Sequence, residues 1–279
     1  MKLSVIVTTY NRPDALKKVL QGLYAQTRLP DEILVADDGS GPDTRVMLTG
    51  FRHRPGPAVF HVWQKDLGFR AARARNKAVA AASGDYLVFL DGDCIPGPYC
   101  LADHLALAEP GCFFQGKRVL VDESTSPAFH ITDCFSLGRL LFYALAGHLG
   151  NAHHIFRIAF FPGLKKKHGL SGIRSCNMGV FKTDVVAVNG FNHDFEGWGR
   201  EDSEFAVRLF KHGLVRKDHP FRAVCYHLWH RENPRNRLSD NDRLLKKAMA
   251  ADSHVCRNGL NRLEAHGSLY DLNSPDTAG

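Results

Sequence analysis

The chain carries two carboxylates on either side of a glycine, in the sequence Asp91-Gly92-Asp93. They follow residues 86–90, an apolar run that is typical of a buried strand. Carboxylates two positions apart at a strand end can face the same side, and their hard oxygen atoms suit Mg²⁺ or Mn²⁺, ions that also bind phosphate oxygens. We expect Gly92 to let a diphosphate come close. The pattern predicts a site for a metal ion and a diphosphate, with a solvated turn as the alternative.

A second pair of acids, Glu201 and Asp202, follows the turn-forming sequence Gly-Trp-Gly-Arg at residues 197–200. Apolar residues at helical spacing come next, so the two acids lie at a predicted helix start. There they could simply complement the positive end of the helix. Alternatively, Trp198 could form a platform for a sugar ring while one of the acids acts as a general base.

A strand-like run at residues 224–229 contains His227, and His230 lies three positions after it. A lone histidine is usually structural. A histidine with a neighbouring histidine and two aromatic residues is also a plausible metal ligand. The residues alone leave both interpretations of His227 open.

Alternating strand and helix patterns run through the first 122 residues and could position these groups. Short apolar runs predict strands at residues 3–7, 33–36, 59–62 and 86–90. Asn11 as a cap and Pro13 in the first turn predict one helix start, and an alanine-rich segment predicts a second helix over residues 70–82. This order predicts an α/β fold with a parallel sheet and helices on its faces.

Polar clusters follow three of these strands, at residues 8–11, 37–38 and 91–93. Ligands of open parallel sheets bind outside the carboxyl ends of the strands, so we expect the three clusters to share one site. Two other nucleotide motifs fail. The sequence G-x-x-x-x-G-K at residues 111–117 is followed by Arg118 where a P-loop needs Ser or Thr, and residues 39–41 lack the third glycine of a dinucleotide fingerprint.

Composition is that of an ordinary globular protein, with 279 residues and a formal net charge of +7. The basic excess suits an anionic partner such as a nucleotide, a nucleic acid or an anionic lipid, or it is only a soluble surface. Seven cysteines without a C-x-x-C spacing argue against a disulfide framework and a cysteine zinc site. With no secretory signal and no apolar run of about 20 residues, we expect a cytoplasmic protein.

The chain resembles the family 2 inverting glycosyltransferases of the GT-A fold. Three features carry the resemblance and occur in the same order: the Asp-Gly-Asp sequence, the acid pair after the Gly-Trp-Gly turn and the histidine segment at residues 224–230. Residues 5–11 together with residues 37–40 carry the resemblance in the first half. Residues 198–202 resemble the galactosyltransferase-like half of bacterial chondroitin-type polymerases and animal β-1,4-galactosyltransferases. The resemblance implies a Rossmann-like, mostly parallel sheet with helices on both faces, in a single domain of two merged halves. It divides the chain into a nucleotide-sugar-binding half (1–123), an irregular helical insert (124–170), an acceptor-binding and catalytic-base half (171–232) and a C-terminal helical tail (233–279).

The resemblance also implies roles for individual residues. Asp38 would accept a hydrogen bond from uracil, and Tyr10 would stack on the ring. Asp93 and His227 would ligate Mn²⁺ or Mg²⁺, and Asp202 would be the catalytic base. The remaining implied contacts are Thr8, Asn11, Arg70 and Asn76 for the donor, with Arg73 and Arg75 as competitors of Arg70, Asp91 for ribose and metal, Trp198 and Gly199 for the acceptor, and Glu201 for sugar hydroxyls.

The implied function is transfer of a sugar, with inversion, from a UDP-sugar to a hydroxyl of a glycan or lipid-linked acceptor in polysaccharide or lipopolysaccharide synthesis, without nucleic acid. Arg200 stands where the animal relatives have glycine, so the acceptor sugar cannot be carried over. A sugar-phosphate nucleotidyltransferase and a non-catalytic nucleotide or glycan binder are the alternatives. In the insert, a stripe of leucines at residues 137–149 and a basic run at residues 165–168 predict a packed hairpin, a dimer contact or peripheral contact with the inner face of the membrane.

Overall fold

The computed structural model describes residues 1–158, 160–232, 234–263 and 268–271, the last segment as backbone only. The expectation of a frayed end after residue 263 therefore falls largely outside the described residues. Thirteen strands are present in the described part: β1 Leu3–Thr9, β2 Glu32–Asp37, β3 Ala58–Trp63, β4 Tyr86–Asp91, β5 Cys94–Pro96, β6 Cys112–Gln115, β7 Lys117–Val121, β8 Leu149–Gly150, β9 Lys165–Lys167, β10 Asn177–Phe181, β11 Val215–Asp218, β12 Val224–His227 and β13 Ser268–Asp271.

The helices lie between these strands along the chain. Two further turns, Ala152–Ile155 and Leu260–Arg262, are 3₁₀-helical. The α-helices are α1 Pro13–Tyr24, α2 Pro42–Thr49, α3 Ala71–Ala81, α4 Cys100–Leu107, α5 Ile131–Cys134, α6 Leu137–Leu145, α7 Lys182–Ala187, α8 Glu201–Lys211 and α9 Leu238–Ala250. Among the described residues, no helix is both long and apolar enough to span a bilayer.

A nine-stranded sheet organises the molecule, in the order β13-β3-β2-β1-β4-β10-β6-β11-β9. The four strands predicted from the first half, β3, β2, β1 and β4, are parallel neighbours. The sheet turns mixed beyond them, because β10 runs antiparallel to both β4 and β6. The α/β class with a mostly parallel sheet is confirmed.

Helices cover both faces of this sheet because the central strands are apolar on both sides. In β1, Val5 and Val7 belong to the core that contains Leu16 and Leu20 of α1. Ile6, between them, belongs to a second core that includes α3 and α8 residues. Successive side chains of a strand point to opposite faces, so a run without polar positions requires a cover on each face.

A smaller sheet, β5-β12-β7-β8, holds the histidine segment against the end of the large sheet. Strand β12 runs antiparallel to β5, and His227 lies directly opposite Cys94. Since Cys94 follows Asp93 in the chain, this register brings the histidine segment next to the Asp-Gly-Asp sequence.

The start of α1 differs from the prediction that Asn11 caps it. The residue at the cap position is Arg12, and Asn11 adopts a positive φ of 49°. The side-chain oxygen of Asn11 instead accepts a hydrogen bond from the backbone N–H of Gly41 at 2.8 Å. Asn11 therefore ties the loop after β1 to the loop after β2.

The insert is only partly packed on the domain. Of the predicted leucine stripe, Leu140 and Leu149 are buried, whereas Leu137, Leu141 and Leu145 of the same stripe are exposed. The basic run forms the edge strand β9, which pairs with β11. The C-terminal segment contains α9 and also the edge strand β13, which no pattern in the sequence indicated.

Candidate active site

The carboxyl ends of β1, β2 and β4 meet at one edge of the large sheet. In the ladder, Thr8 lies opposite Ala36 on one side and opposite Asp91 on the other. The three polar clusters predicted to converge therefore do lie side by side.

The Asp-Gly-Asp turn follows β4 directly. The backbone N–H of Gly92 donates to the carbonyl oxygen of Thr8 at 2.7 Å, and a Cβ atom on Gly92 would lie 2.9 Å from that oxygen. Close packing of the chain on β1 thus requires the glycine. That Gly92 also makes room for a diphosphate is a separate expectation, and it stays a prediction.

Asp93 is surrounded by cationic and imidazole groups. Its Oδ2 atom lies 2.6 Å from Nη1 of Arg12 and 3.5 Å from Nε2 of His230. Its Oδ1 atom lies 3.6 Å from Nε2 of His227. Burial lowers the pKa of His227 to about 4, so its ring is neutral and keeps a lone pair for a metal ion. The residues around Asp93 fit a divalent cation.

Asp91 turns away from this group and toward Arg75. Arg75 is buried, and its Nη2 atom lies 3.2 Å from Oδ1 of Asp91. Its Nε donates to the hydroxyl of Thr8 at 3.1 Å, and Nη1 lies 3.4 Å from Glu201 and 3.7 Å from Asp202. Burial raises the pKa of Asp91, and the charge of Arg75 opposes that rise. Arg75, which the sequence left as a competitor of Arg70, thus joins the two halves of the site, namely the acid at the end of β4 and the acid pair at the start of α8.

The acid pair opens α8, as predicted. The chain reaches it through Gly197, Gly199 and Arg200, all with positive φ. The Oδ2 atom of Asp202 accepts a hydrogen bond from the backbone N–H of Ser175 at 2.9 Å. Within the described part of the chain its buried Oδ1 atom has no hydrogen-bond partner. Burial, and then the nearby charge of Asp202, raise the pKa of Glu201.

Tyr10, Asp38 and Trp198 are among the residues that line a cleft of about 280 Å³. The ring of Tyr10 is 47% exposed, and its hydroxyl donates to Asp66 at 2.8 Å. Asp38 is buried and accepts from the side chain of Gln64 at 2.6 Å. Its second oxygen accepts from the backbone N–H of Arg70 at 2.5 Å. Burial raises the pKa of Asp38 to about 6. The cleft thus offers an aromatic ring on one side and a carboxylate at depth.

Two residues expected to contact the donor make hydrogen bonds to backbone groups of the protein. Asn76 is completely buried; its amide nitrogen donates to the carbonyl of Phe191 at 2.7 Å, and its oxygen accepts from the N–H of the same residue at 2.8 Å. Asn11 is engaged with Gly41, as described above. Neither residue is among those that line the cleft in the described part of the chain.

Arg12 and Cys94 were not predicted as partners of Asp93. Cys94 is the next residue along the chain, so its position was an available signal, whereas no local pattern marks Arg12. His230 was noted only as the i+3 partner of His227, and that spacing was the available signal, since both rings lie near the same carboxylate.

A mostly parallel sheet with this Asp-Gly-Asp turn at its edge, facing an acid pair on a following helix, defines a GT-A-type α/β protein. The chain belongs to glycosyl transferase family 2, whose profile matches residues 4–186. A second profile, described as the N-terminal domain of galactosyltransferase, matches residues 157–231. Family membership and the galactosyltransferase-like second half, both expected from the sequence, are confirmed.

Similar curated proteins include the validoxylamine A glucosyltransferase of Streptomyces hygroscopicus subsp. limoneus, 31% identical over 231 residues that cover 76% of this chain and 48% of the relative. The hyaluronan synthase of Pasteurella multocida is 27% identical, over 90% of this chain and 26% of the synthase. The chain therefore spans about half the length, or less, of these relatives.

Two solved structures are similar in fold. TarS 1–349 of S. aureus superposes with a TM-score of 0.62 at 18% identity, covering 89% of this chain and 65% of TarS 1–349. The mannosyltransferase PcManGT of Pyrobaculum calidifontis, solved in complex with GDP-Man and Mn²⁺, superposes with a TM-score of 0.54 at 19% identity, covering 83% of this chain and 58% of its own. At these identities the likeness concerns the fold alone.

Proposed function

We propose that this chain transfers a sugar from a UDP-sugar to a hydroxyl group of an acceptor glycan or lipid-linked glycan, with inversion of the anomeric carbon. The single observation that carries the proposal is the contact of Arg75 with both halves of the site. Its guanidinium lies 3.2 Å from Asp91, at the end of β4, and 3.4 Å from Glu201, at the start of α8. The proposed donor region and the proposed base region thereby share one buried guanidinium.

Recognition of the uracil base rests on Tyr10 and Asp38. The exposed ring of Tyr10 offers a face for stacking. The carboxylate of Asp38 accepts one hydrogen bond at each oxygen, which leaves lone pairs free for the N–H of uracil. The hydrogen bonds from Gln64 and Arg70 fix the orientation of this carboxylate before a nucleotide binds.

The metal ion of this proposal is Mn²⁺ or Mg²⁺, held by Asp93 and His227, with His230 close to the second carboxylate oxygen. A divalent cation at this position neutralises the charge that develops on a diphosphate leaving group. Asp91 is held by its contact with Arg75. We propose that its carboxylate binds the ribose of the donor.

Asp202 is proposed as the base. One of its oxygens is fixed by Ser175, and the other has no hydrogen-bond partner in the described structure and lies 3.7 Å from Nη1 of Arg75. We propose that this second oxygen takes the acceptor proton. The acceptor oxygen attacks the anomeric carbon, the bond from that carbon to the diphosphate breaks, and the acceptor proton passes to Asp202. UDP leaves with the bonding electrons. One displacement without a covalent sugar–enzyme intermediate inverts the configuration.

The acceptor side is formed by Trp198, which shares the cleft with Tyr10.

Polysaccharide or lipopolysaccharide synthesis is the proposed setting, and peripheral contact with an anionic membrane surface belongs to it. The lysines of the basic run contribute little to such a contact, because Lys166 pairs with Glu109 at 2.8 Å and Lys167 with Asp218 at 3.0 Å. The exposed side chains Phe142 and Leu145 of α6 are better candidates.

Flotation with anionic vesicles at low salt tests the membrane contact. Phe142→Ser/Leu145→Ser should reduce flotation, and Lys165→Ser/Lys166→Ser/Lys167→Ser should reduce it less. If the unaltered protein stays unbound, the membrane contact is wrong, whatever the outcome of the transfer assays.

The transfer proposal is tested by slow hydrolysis of a panel of nucleotide-sugars with and without Mn²⁺. We expect release of UDP from at least one UDP-sugar, dependent on Mn²⁺ and abolished by Asp93→Asn. The surface variant Asp43→Asn, in the first turn of α2, is the matched control. Activity that joins a sugar phosphate to a nucleoside triphosphate would instead support a nucleotidyltransferase. Nucleotide binding without turnover on any donor would support a binding protein.

A further inference from the structure

The two oxygens of Asp93 face different chemistry. Oδ2 faces Arg12, a permanent cation, at 2.6 Å. Oδ1 faces Nε2 of His227 at 3.6 Å and the sulfur of Cys94 at 3.7 Å. A cation bound on the Oδ1 side would therefore meet oxygen, nitrogen and sulfur together.

The ligand atoms on this side lie close enough to share one ion. One atom each of Asp93, Cys94 and His227 lies within 4.8 Å of the other two. Hard cations such as Mg²⁺ and Mn²⁺ prefer oxygen, whereas thiolate and imidazole ligands suit Zn²⁺ and similar thiophilic ions. The thiol shifts the preference of this site away from hard cations.

The surroundings of Cys94 bury its thiol completely and hold it in place. All seven cysteines are free and buried. Cys94 packs against Cys176 and Cys225, which form a small cluster with it beneath the site. The register of β12 against β5 places His227 opposite Cys94, so the backbone fixes both ligands before any ion arrives.

We propose that Asp93, Cys94 and His227 form a binding site for a thiophilic divalent cation of the Zn²⁺ class. Coordination replaces the proton of the Cys94 thiol, which leaves to solvent. Such an ion takes His227 and one oxygen of Asp93, and these atoms are then lost to Mn²⁺. Zn²⁺ therefore opposes the binding of UDP with Mn²⁺. The cation site itself does not depend on the proposed transfer reaction; only the competition with Mn²⁺ rests on it.

Titration of the metal-free protein with Co²⁺ tests the site, because a thiolate ligand gives a strong charge-transfer absorption in the near ultraviolet that oxygen and nitrogen ligands do not give. We expect the band in the unaltered protein and its loss in Cys94→Ser. Cys256→Ser, which removes a buried thiol elsewhere in the fold, should keep the band. Zn²⁺ added in one equivalent should abolish it by displacement.

Affinity gives a second measurement. Calorimetry should find Zn²⁺ binding weakened at least about tenfold in Cys94→Ser, and Mn²⁺ binding changed much less. If Cys94→Ser does not fold, X-ray absorption of the zinc-loaded unaltered protein decides. A sulfur neighbour at about 2.3 Å supports the site, and a shell of only oxygen and nitrogen overturns it. An unchanged Co²⁺ band in a folded Cys94→Ser protein also overturns it. Because these readings need no donor or acceptor, they remain valid if no transfer is found.

Discussion

The guanidinium of Arg12 lies 2.6 Å from the carboxylate of Asp93, at the oxygen that also faces His230. A positive side chain thus occupies one side of the carboxylate that we propose to bind a metal ion. Arg12 both neutralises Asp93 when no metal is bound and competes with a metal for it.

Replacing Arg12 with methionine should therefore strengthen the binding of Mn²⁺. The ion pair is partly exposed, so it contributes about 1 kcal/mol, which corresponds to about a fivefold change in affinity. Calorimetry on the metal-free protein measures the effect. Arg28→Met, which removes a different ion pair, the one with Asp31, is the control. Equal or weaker binding of Mn²⁺ in Arg12→Met would contradict the idea of competition.

Replacing Asp202 with asparagine should lower turnover about 10²- to 10⁴-fold and leave UDP binding nearly unchanged, because the base acts only on the acceptor proton. Glu201→Gln is the comparison. Glu201 takes no proton in the proposed reaction, and an amide of the same shape still makes hydrogen bonds to sugar hydroxyls, so the loss should be smaller. Turnover with a saturating donor is the measurement. If Glu201→Gln is the more damaging change, the base is Glu201.

Replacing Arg75 with methionine should destabilise the fold by about 3–5 kcal/mol. The change removes a buried cation and leaves the acids that surround it without a counter-charge. Urea denaturation measures the free energy of unfolding. Arg243→Met, at an exposed ion pair with Asp240, should cost less than about 1 kcal/mol. Similar values for the two variants would mean that Arg75 does not hold the halves together.

Replacement of Arg200 separates backbone strain from ion pairing. Arg200 has φ 78°, and its side chain lies 2.6 Å from Asp242. Both Arg200→Gly and Arg200→Ala remove the ion pair, but only glycine adopts this φ without cost. Arg200→Gly should therefore be more stable than Arg200→Ala by about 1 kcal/mol in thermal or urea unfolding. The reverse order would exclude a left-handed conformation at this position.

The stability of the protein should depend on the protonation of Asp38. Burial raises the pKa of Asp38 in the folded state to about 6, from an ordinary value of 3.8. The folded state then binds the proton more tightly than the unfolded state, so the stabilising contribution of this group is full below pH 3.8 and is lost as the pH rises through about 6. Over this range the cost is at most about 3 kcal/mol.

Asp38→Asn cannot lose a proton and should not show that cost. Urea unfolding of both proteins from pH 4 to pH 7 provides the measurement. Relative to the unaltered protein, Asp38→Asn should gain stability as the pH rises. A difference that stays constant over this range would show that Asp38 is as readily ionised in the folded state as in the unfolded chain.

Local sequence pattern determined the strands β1 to β4 and the position of the polar clusters that follow three of them. Residues 5–7 and 86–90 are apolar without interruption, and such runs are stable only when helices cover both faces of the sheet. Once β1 and β4 are parallel neighbours, Thr8 and Asp91 must meet at the same edge. The α/β class and the place of the site could therefore be predicted without a structure.

The partners within the site were decided only by the tertiary structure. Arg75 meets Glu201 across 126 residues of chain, and Arg12 meets Asp93 across 81. Pattern and spacing describe neighbours along one element, whereas these contacts depend on how separate elements pack and on which rotamers the packing leaves free. For the same reason Asn76, a donor contact by the family resemblance, is a buried support for the loop at Phe191, and Nε2 of His227 lies 3.6 Å from the carboxylate that we propose to bind a metal ion.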